Sequence, residues 1–310
     1  MIAVGVGAHR LTEPQPATGP SPRRNIQSLI MSAHSPRIPA RLESKQDVAD
    51  GLSIFRFALA SDFQFKPGQY ATLWLTHREK TIPRPYSIVS SPSETRSLEF
   101  YINLVEHGRL TPSLWDPEVV RGLNDSQHET YVEITGPRGR FVLDRHDSRD
   151  LVFVASGTGL APFISMIRTL NGDYLADPKA FRPLTVYVIH GVSYSRNLGY
   201  RRELEGLAAE TIRDPRRKLA VIYVPTISRP HMDPAWSGPI GRAETLFEQT
   251  DTTSHDLTSI IKSMLAAILR PDTHAVYLCG HPGTIDNVGR VLARRGFKPD
   301  VDLKREKYYP

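Results

Sequence analysis

The feature that most constrains this chain is a change of hydrophobic rhythm near residue 150. Beyond it, LVFVA, LTVYVI, LAVIYV and AVYLC are short continuous apolar runs, the signature of strands covered on both faces. Between them lie amphipathic stretches: APFISMIRTL, with Ile164, Ile167 and Leu170 at helical spacing, RRELEGLAA, LTSIIKSMLAAIL and TIDNVGRVLARRG. Strands alternating with helices predict a doubly wound parallel sheet that takes its ligands at the carboxyl ends of its strands. Before residue 150 the rhythm is shorter. LSIFRFAL, QYATLWL, PYSIVS, LEFYINLV, TYVEITG and RFVLD alternate with turns and predict a small antiparallel Greek-key β-barrel. Only TPSLWDPEVVRGL has room there for a helical turn or two. The 310 residues therefore divide into a two-domain chain, with a barrel over 36–147 and an α/β domain over 148–310. Residues 1–35 are rich in Pro, Gly, Ser and Ala and are expected to be a flexible tail. They lack the apolar core of a secretory signal, and Met31 offers a second possible start.

Composition narrows the chemistry. The one cysteine, Cys279, makes no internal disulfide, four-thiolate zinc site or iron-sulfur cluster, so a metal-centred electron carrier is expected to be a separate molecule. No apolar run reaches the length of a membrane span, and a cytoplasmic location is expected. The formal charge of +6 favours acidic or phosphorylated partners. Its cations are scattered rather than gathered into a nucleic-acid arm.

Chemistry-bearing residues gather at predicted strand ends. LVFVA runs into SGTGLAPF, so Gly157, Thr158 and Gly159 lie between a buried strand and a helix, where backbone amides and a helix dipole meet phosphate oxygens. A simple tight turn fits these residues equally well. AVYLC ends in CGHPG, which brings Cys279, Gly280 and Gly283 to the same sheet edge. Cys279 reads either as inert packing or as part of a pocket wall. After LAVIYV, the fragments ISR and IGR supply Ser228, Arg229 and Arg242. Their guanidinium groups suit a phosphate clamp and suit a solvated surface equally. His190, at the end of LTVYVI, reads as a packing or hydrogen-bonding residue. In the barrel, RPYSIVSSP places Arg84, Pro85, Tyr86 and Ser87 together, and an edge strand explains the proline but not the cation or the serine.

RPYSIVSSP, GRLTPSL, SGTGLAPF, CGHPG and the terminal EKYYP, in this order, resemble the ferredoxin-NADP reductase family, especially its bacterial members, over residues 36–310. The resemblance implies an FAD-binding barrel and an NADP-binding α/β domain. It implies that Arg84 neutralises the FAD diphosphate, Pro85 stiffens the strand, Tyr86 lies against the isoalloxazine and Ser87 bonds near flavin N5. It carries Tyr101, Ile102, Asn103 and Leu104 over as a flavin-lining strand, and Arg109, Leu110 and Thr111 as the segment that meets the diphosphate through amides and a hydroxyl. Gly157, Thr158 and Gly159, with Cys279 and Gly280, would hold the nicotinamide dinucleotide, Thr158 touching both rings. Ser228, Arg229 and Arg242 would take its 2'-phosphate, so NADPH is expected over NADH. Glu306 and Tyr308 match the family's Glu-x-Tyr ending, in which Tyr308 covers the flavin and acts as a gate. Tyr309 would reach toward the FAD adenosine. Two departures stand out: Ser193 occupies a position where bacterial relatives carry arginine, with Arg196 one turn away, and RGLNDSQHETYVEITGP is longer and more polar than their connection.

The implied activity is a hydride exchange between NADPH and FAD N5, followed by single-electron transfer to a small acidic carrier, ferredoxin or flavodoxin. Ser87, Cys279, Glu306 and Tyr308 are the expected catalytic residues. Two alternatives share the fold: the NAD(P)H-dependent reductase component of an oxygenase system, which a strong NADH preference would indicate, and a non-catalytic flavin or dinucleotide sensor, which NADPH would fail to bleach. A nucleic-acid binder would need salt-sensitive binding through clustered cations.

Overall fold

The computed structural model describes residues 36–123, 130–248 and 256–308. The expected tail over 1–35, part of the polar connection and Tyr309 lie outside the described residues.

Six strands form the first sheet: β1 (Ile38–Ala49), β2 (Leu52–Leu59), β3 (Tyr70–His77), β4 (Lys80–Ser87), β5 (Ser97–Asn103) and β6 (Tyr131–Arg138). Their order is β4-β3-β6-β1-β2-β5, antiparallel throughout. The two outer strands meet where Ile88 bridges Phe100, which curls the sheet toward a barrel and protects its edges. Alternation along β2 and β3 sends Phe55, Phe57, Leu73 and Leu75 inward, where they are fully or almost fully buried. Two short helices, α1 (Thr111–Trp115) and α2 (Pro117–Gly122), cap one end through Leu114 and Val119.

The second sheet is parallel, in the order β11-β10-β7-β8-β9. Its strands are β7 (Asp150–Ser156), β8 (Leu184–Val192), β9 (Leu219–Ile227), β10 (His274–Gly280) and β11 (Leu303–Lys307). Helices α3 (Ala161–Ala176), α4 (Arg201–Arg213), α5 (Leu257–Ile268) and α6 (Pro282–Arg294) provide the crossovers. The chain winds from β7 outward to β9, then returns to β10 on the other side. The order thus reverses between β7 and β10, and crevices open at such switch points. Pro36–Pro310 forms one compact unit. One core cluster joins Leu52, Val89 and Tyr101 of the barrel region to Phe153, Phe163 and Tyr277 of the α/β half.

RFVLD, expected as a strand, is irregular. Phe141 and Leu143 are buried, but Phe141 packs its ring against Phe163 and Tyr277 rather than lying in a ladder. The segment is apolar because it fills the seam between the two sheets. The sixth strand is instead β1, polar along most of its length.

Candidate active site

A cavity of about 1500 Å³ opens where the barrel faces the switch point of the parallel sheet. That is larger than the roughly 300–1,000 Å³ of a typical small-ligand pocket, so it has room for more than one group.

From the barrel, the end of β4 delivers Arg84, Pro85, Tyr86 and Ser87 to the wall. Pairing of β4 with β3, Ser87 opposite Tyr70 and Arg84 opposite Leu73, fixes their register. Among the described residues the Arg84 guanidinium bonds only to the neighbouring Pro83 carbonyl, at 2.8 Å. Tyr86 is half-buried against Phe100, with ring centroids 6.2 Å apart, and burial raises its hydroxyl pKa despite the nearby Arg84 charge. Tyr101, Ile102 and Asn103 from β5, then Arg109, Leu110 and Thr111, continue the same wall.

From the parallel sheet, β7 ends at Ser156 and the chain turns through Gly157, with φ +56°, and Thr158 into α3. An added Cβ on Gly157 would meet nothing within 4 Å, so its backbone stands open to the cavity. One on Gly159 would lie 2.3 Å from the Cys279 carbonyl oxygen. Gly159 is therefore needed for close packing of the turn on β10. Gly280, with φ +129°, would drive a Cβ into Ser156, and the Ser156 hydroxyl accepts from the His281 amide at 2.7 Å. The fully buried His190 donates from Nε2 to the Gly157 carbonyl at 3.0 Å, and burial lowers its pKa to about 4. It braces the glycine turn as a neutral ring.

Four groups from distant parts of the chain converge between the two halves. The main chain of Tyr308 extends the β10–β11 pairing by donating to the Gly280 carbonyl at 2.9 Å. Its hydroxyl donates to Ser87 Oγ at 2.6 Å. Ser87 in turn donates to Glu306 Oε2 at 3.3 Å, and the Cys279 thiol points at the same oxygen from 3.9 Å. Burial raises the Glu306 pKa to about 7, against the opposing hydrogen bonds from Ser87 and Cys279. Burial, followed by the Glu306 charge, keeps Cys279 a thiol, and burial likewise holds Tyr308 as a phenol.

At the far end, Ser228, Arg229 and Arg242 line the cavity beside Ser193, Tyr194 and Arg196. Arg229 donates to the Tyr194 hydroxyl at 2.8 Å, and the Arg196 guanidinium lies 4.3 Å from the Tyr194 ring centroid. Among the described residues, no carboxylate lies within ion-pairing distance of Arg84, Arg109, Arg196 or Arg229. Arg242 comes only to 4.0 Å from Glu244.

Most of the residues singled out in the sequence reach this wall, with informative exceptions. Leu104, Gly159 and Cys279 are not in it. Leu104 is tied by its amide to the Gly51 carbonyl, Gly159 is packed on β10, and Cys279 is fully buried behind Glu306. The Thr111 hydroxyl was expected to meet a diphosphate. It lines the wall while accepting from the Val105 amide and donating to the Val105 carbonyl, at 3.0 and 3.1 Å, which closes its own loop. The Tyr101 hydroxyl is likewise committed, across the domain boundary to residues 197 and 199. Sequence reasoning missed Tyr194, whose only signal was an aromatic beside Ser193, and Ser156, an ordinary strand-end serine until its partner is seen.

Fold and cleft together define an oxidoreductase module built from a flavin-binding barrel and a nicotinamide-dinucleotide-binding sheet. Residues 39–143 match the oxidoreductase FAD-binding domain family, and residues 153–289 match the oxidoreductase NAD-binding domain family. The two matches lie one in each half, so the chain is built from an FAD-binding and an NAD-binding oxidoreductase domain, and ferredoxin-NADP reductases are among its relatives. It is 27% identical over 255 residues to the ferredoxin–NAD(P)(+) reductase component of naphthalene 1,2-dioxygenase/salicylate 5-hydroxylase systems from Ralstonia sp, matching 82% of this chain and 64% of that protein. It is 28% identical over 240 residues to ferredoxin–NADP reductase B from Sorangium cellulosum, covering 77% of this chain and 83% of that one. A solved ferredoxin NADP+ reductase from Neisseria gonorrhoeae, with bound FAD and NADP, superposes with a TM-score of 0.66 at 21% identity, over 90% of this chain and all of the other. That last likeness is one of fold.

The donor set fits both cofactors. Arginines without carboxylate partners suit diphosphate and phosphomonoester oxygens, Tyr86 offers an aromatic surface to a flat ring, and the open Gly157 backbone admits a phosphate or ribose at close range.

Proposed function

We propose that this chain is an NADPH-dependent flavoprotein reductase that passes electrons to a small one-electron carrier protein. Convergence of Ser87, Cys279, Glu306 and Tyr308 at the switch-point end of the cavity is the observation that supports this most, because it places titratable and hydrogen-bonding groups where the two cofactor-binding walls meet. Bound FAD supplies the exchange between a two-electron hydride donor and a one-electron acceptor.

The residues divide the remaining work. Arg84 neutralises the flavin diphosphate, and Tyr86 presents its ring to the isoalloxazine. Ser87 holds a hydroxyl in the wall, oriented by the Tyr308 phenol. Tyr308, held in the wall between Ser87 and Gly280, would cover the flavin and would be the group that an incoming nicotinamide displaces. Glu306, with a pKa of about 7, holds a proton at Oε1 or Oε2 near neutral pH without the cost of a buried charge. Thr158 and the Gly157 backbone position the dinucleotide, and Arg196, Arg229 and Arg242 favour a 2'-phosphorylated ribose. Arg196 stands in for the arginine that Ser193 replaces.

For the carrier, a ferredoxin-type protein is the natural partner, since the Ralstonia and Sorangium relatives are both named for ferredoxin. The former sits in an oxygenase system, and the two settings ask the same transfer of this module. An absorbance spectrum of the purified chain, an anaerobic titration with NADPH and then with NADH, and transfer to ferredoxin or flavodoxin test the reading in sequence. A yellow protein bleached by NADPH at lower concentrations than NADH is expected. A yellow protein that NADPH does not bleach would make it a sensor, and an NADH preference would remove the phosphate assignment.

A further inference from the structure

The connection between β8 and α4, residues 193–200, carries Ser193, Tyr194, Arg196 and Asn197 in the cavity wall, yet a residue of the other domain holds its backbone. Tyr101, on β5 of the barrel, donates its hydroxyl proton to the Asn197 carbonyl at 3.0 Å and accepts from the Gly199 amide at 3.1 Å. Gly199 is buried, and a Cβ there would lie 2.4 Å from the Tyr101 hydroxyl oxygen, so only glycine admits this contact. The Tyr101 ring also meets Tyr200 edge-on, at 5.4 Å and 84°. Tyr200 itself stands in the left-handed region, with φ +59°, so the loop makes its turn at this point of contact.

The same loop carries Tyr194, which receives a hydrogen bond from Arg229 and lies under the Arg196 guanidinium. Tyr194 thus gathers one arginine from its own loop and one from the end of β9. An apolar wall for a flavin would be served as well by phenylalanine at 101. The hydroxyl is needed only for the loop, because Tyr101 is 4% exposed and its donor and its acceptor are both engaged there.

We propose that Tyr101 is a positioning residue for the phosphate end of the dinucleotide: its hydroxyl pins the 193–200 loop so that Tyr194 presents Arg196 and Arg229 as a pair. This rests on the dinucleotide reading of the cleft. Removing the hydroxyl leaves the Asn197 carbonyl and the Gly199 amide only the hydrogen bond they make to each other, at 3.0 Å, and takes away the polar tie that holds the loop to the barrel. Discrimination between phosphorylated and unphosphorylated adenosine is therefore set in part from the flavin domain.

The test uses FAD-loaded protein titrated calorimetrically with 2',5'-ADP and with 5'-AMP. Tyr101→Phe is expected to weaken 2',5'-ADP by about fivefold or more and 5'-AMP by less than about twofold, given the usual worth of a hydrogen bond. Gly199→Ala, which forces the hydroxyl away from the loop, should do the same. Unchanged affinities, or equal weakening of both ligands, in the two variants would overturn the proposal. Absence of any 2',5'-ADP preference in the unaltered protein would overturn this inference together with the phosphate reading. A preference kept intact in the variants overturns this inference alone.

Discussion

Glu306 is surrounded by groups that offer hydrogen bonds but no positive charge. Its Oε2 faces Ser87 and Cys279, and among the described residues no cation pairs with it, since the adjacent Lys307 pairs with Asp286 at 2.7 Å. Burial therefore dominates and raises its pKa from 4.5 to about 7. In that window the folded protein keeps a proton that the unfolded chain has released, so stability falls as pH rises from about 4.5 to about 7 and is level above. His190 works the other way. Its value is lowered to about 4, so its contribution is complete above the ordinary 6.5 and is lost as pH falls toward 4. Glu306→Gln removes only the first of these. Urea unfolding of variant and wild type at successive pH values should show the variant gaining relative stability across the window, by about 3 kcal/mol at pH 8 for a shift of this size. The His190 slope is common to both proteins and cancels. Two parallel stability curves would mean that Glu306 does not hold its proton near neutral pH.

Individual elements show why some of the fold could be read in advance and some could not. All four apolar runs of the second half became strands of the parallel sheet, because burial on both faces leaves an unbroken hydrophobic record in the sequence. β1 left none: it buries Leu42 and little else. Its only signal was the Asp50–Gly51 pair before β2, a hairpin turn with Gly51 at φ +68°. β11, LKREK, is a short polar edge strand that becomes legible only through its pairing with β10. RFVLD misled because seam-filling and strand cores share a composition. The glycine turn after β7 was legible as a motif, but its two glycines do different jobs that only the surroundings separate. Gly157→Ala meets open space and costs about 1 kcal/mol for its left-handed backbone. Gly159→Ala sets a methyl group against the rigid β10 carbonyl and costs about 3 kcal/mol, at the upper end for overpacking. Thermal unfolding of the two variants should therefore rank Gly159→Ala well below Gly157→Ala, and a reversed order would contradict the packing role assigned to Gly159.

At the scale of the whole molecule, the cleft exists only if the barrel and the parallel sheet keep a fixed relation, and Arg168 is central to that relation. It reaches from α3 to Glu203 at 2.8 Å and to Glu99 on β5 at 2.9 Å, with the Tyr200 hydroxyl on the same Glu99 oxygen at 3.0 Å. Its partner on the barrel is 69 positions away in the chain, which is why none of these charges stood out in the sequence. The guanidinium is mostly shielded, at 22% exposure, so the pair differs from the surface ion pairs worth little elsewhere on the molecule. Removing Arg168 takes the short ion pairs from both Glu203 and Glu99, leaving Glu99 only its longer pair to Arg56, at 3.6 Å, at a cost of about 3 kcal/mol. Because Glu99 and Arg168 lie on opposite sides of the seam, Arg168→Met should loosen the joint before it melts either half. In a Trp236→Phe background, which silences the tryptophan of the α/β half, Trp74 and Trp115 report on the barrel, and the far-ultraviolet helix signal reports mainly on the α/β half. With Arg168 in place the two should disappear together in urea, whereas in Arg168→Met the transitions should separate and the earlier one shift to lower urea. Coincident transitions in the variant, at an unchanged midpoint, would show that the buried apolar seam alone holds the two sheets together.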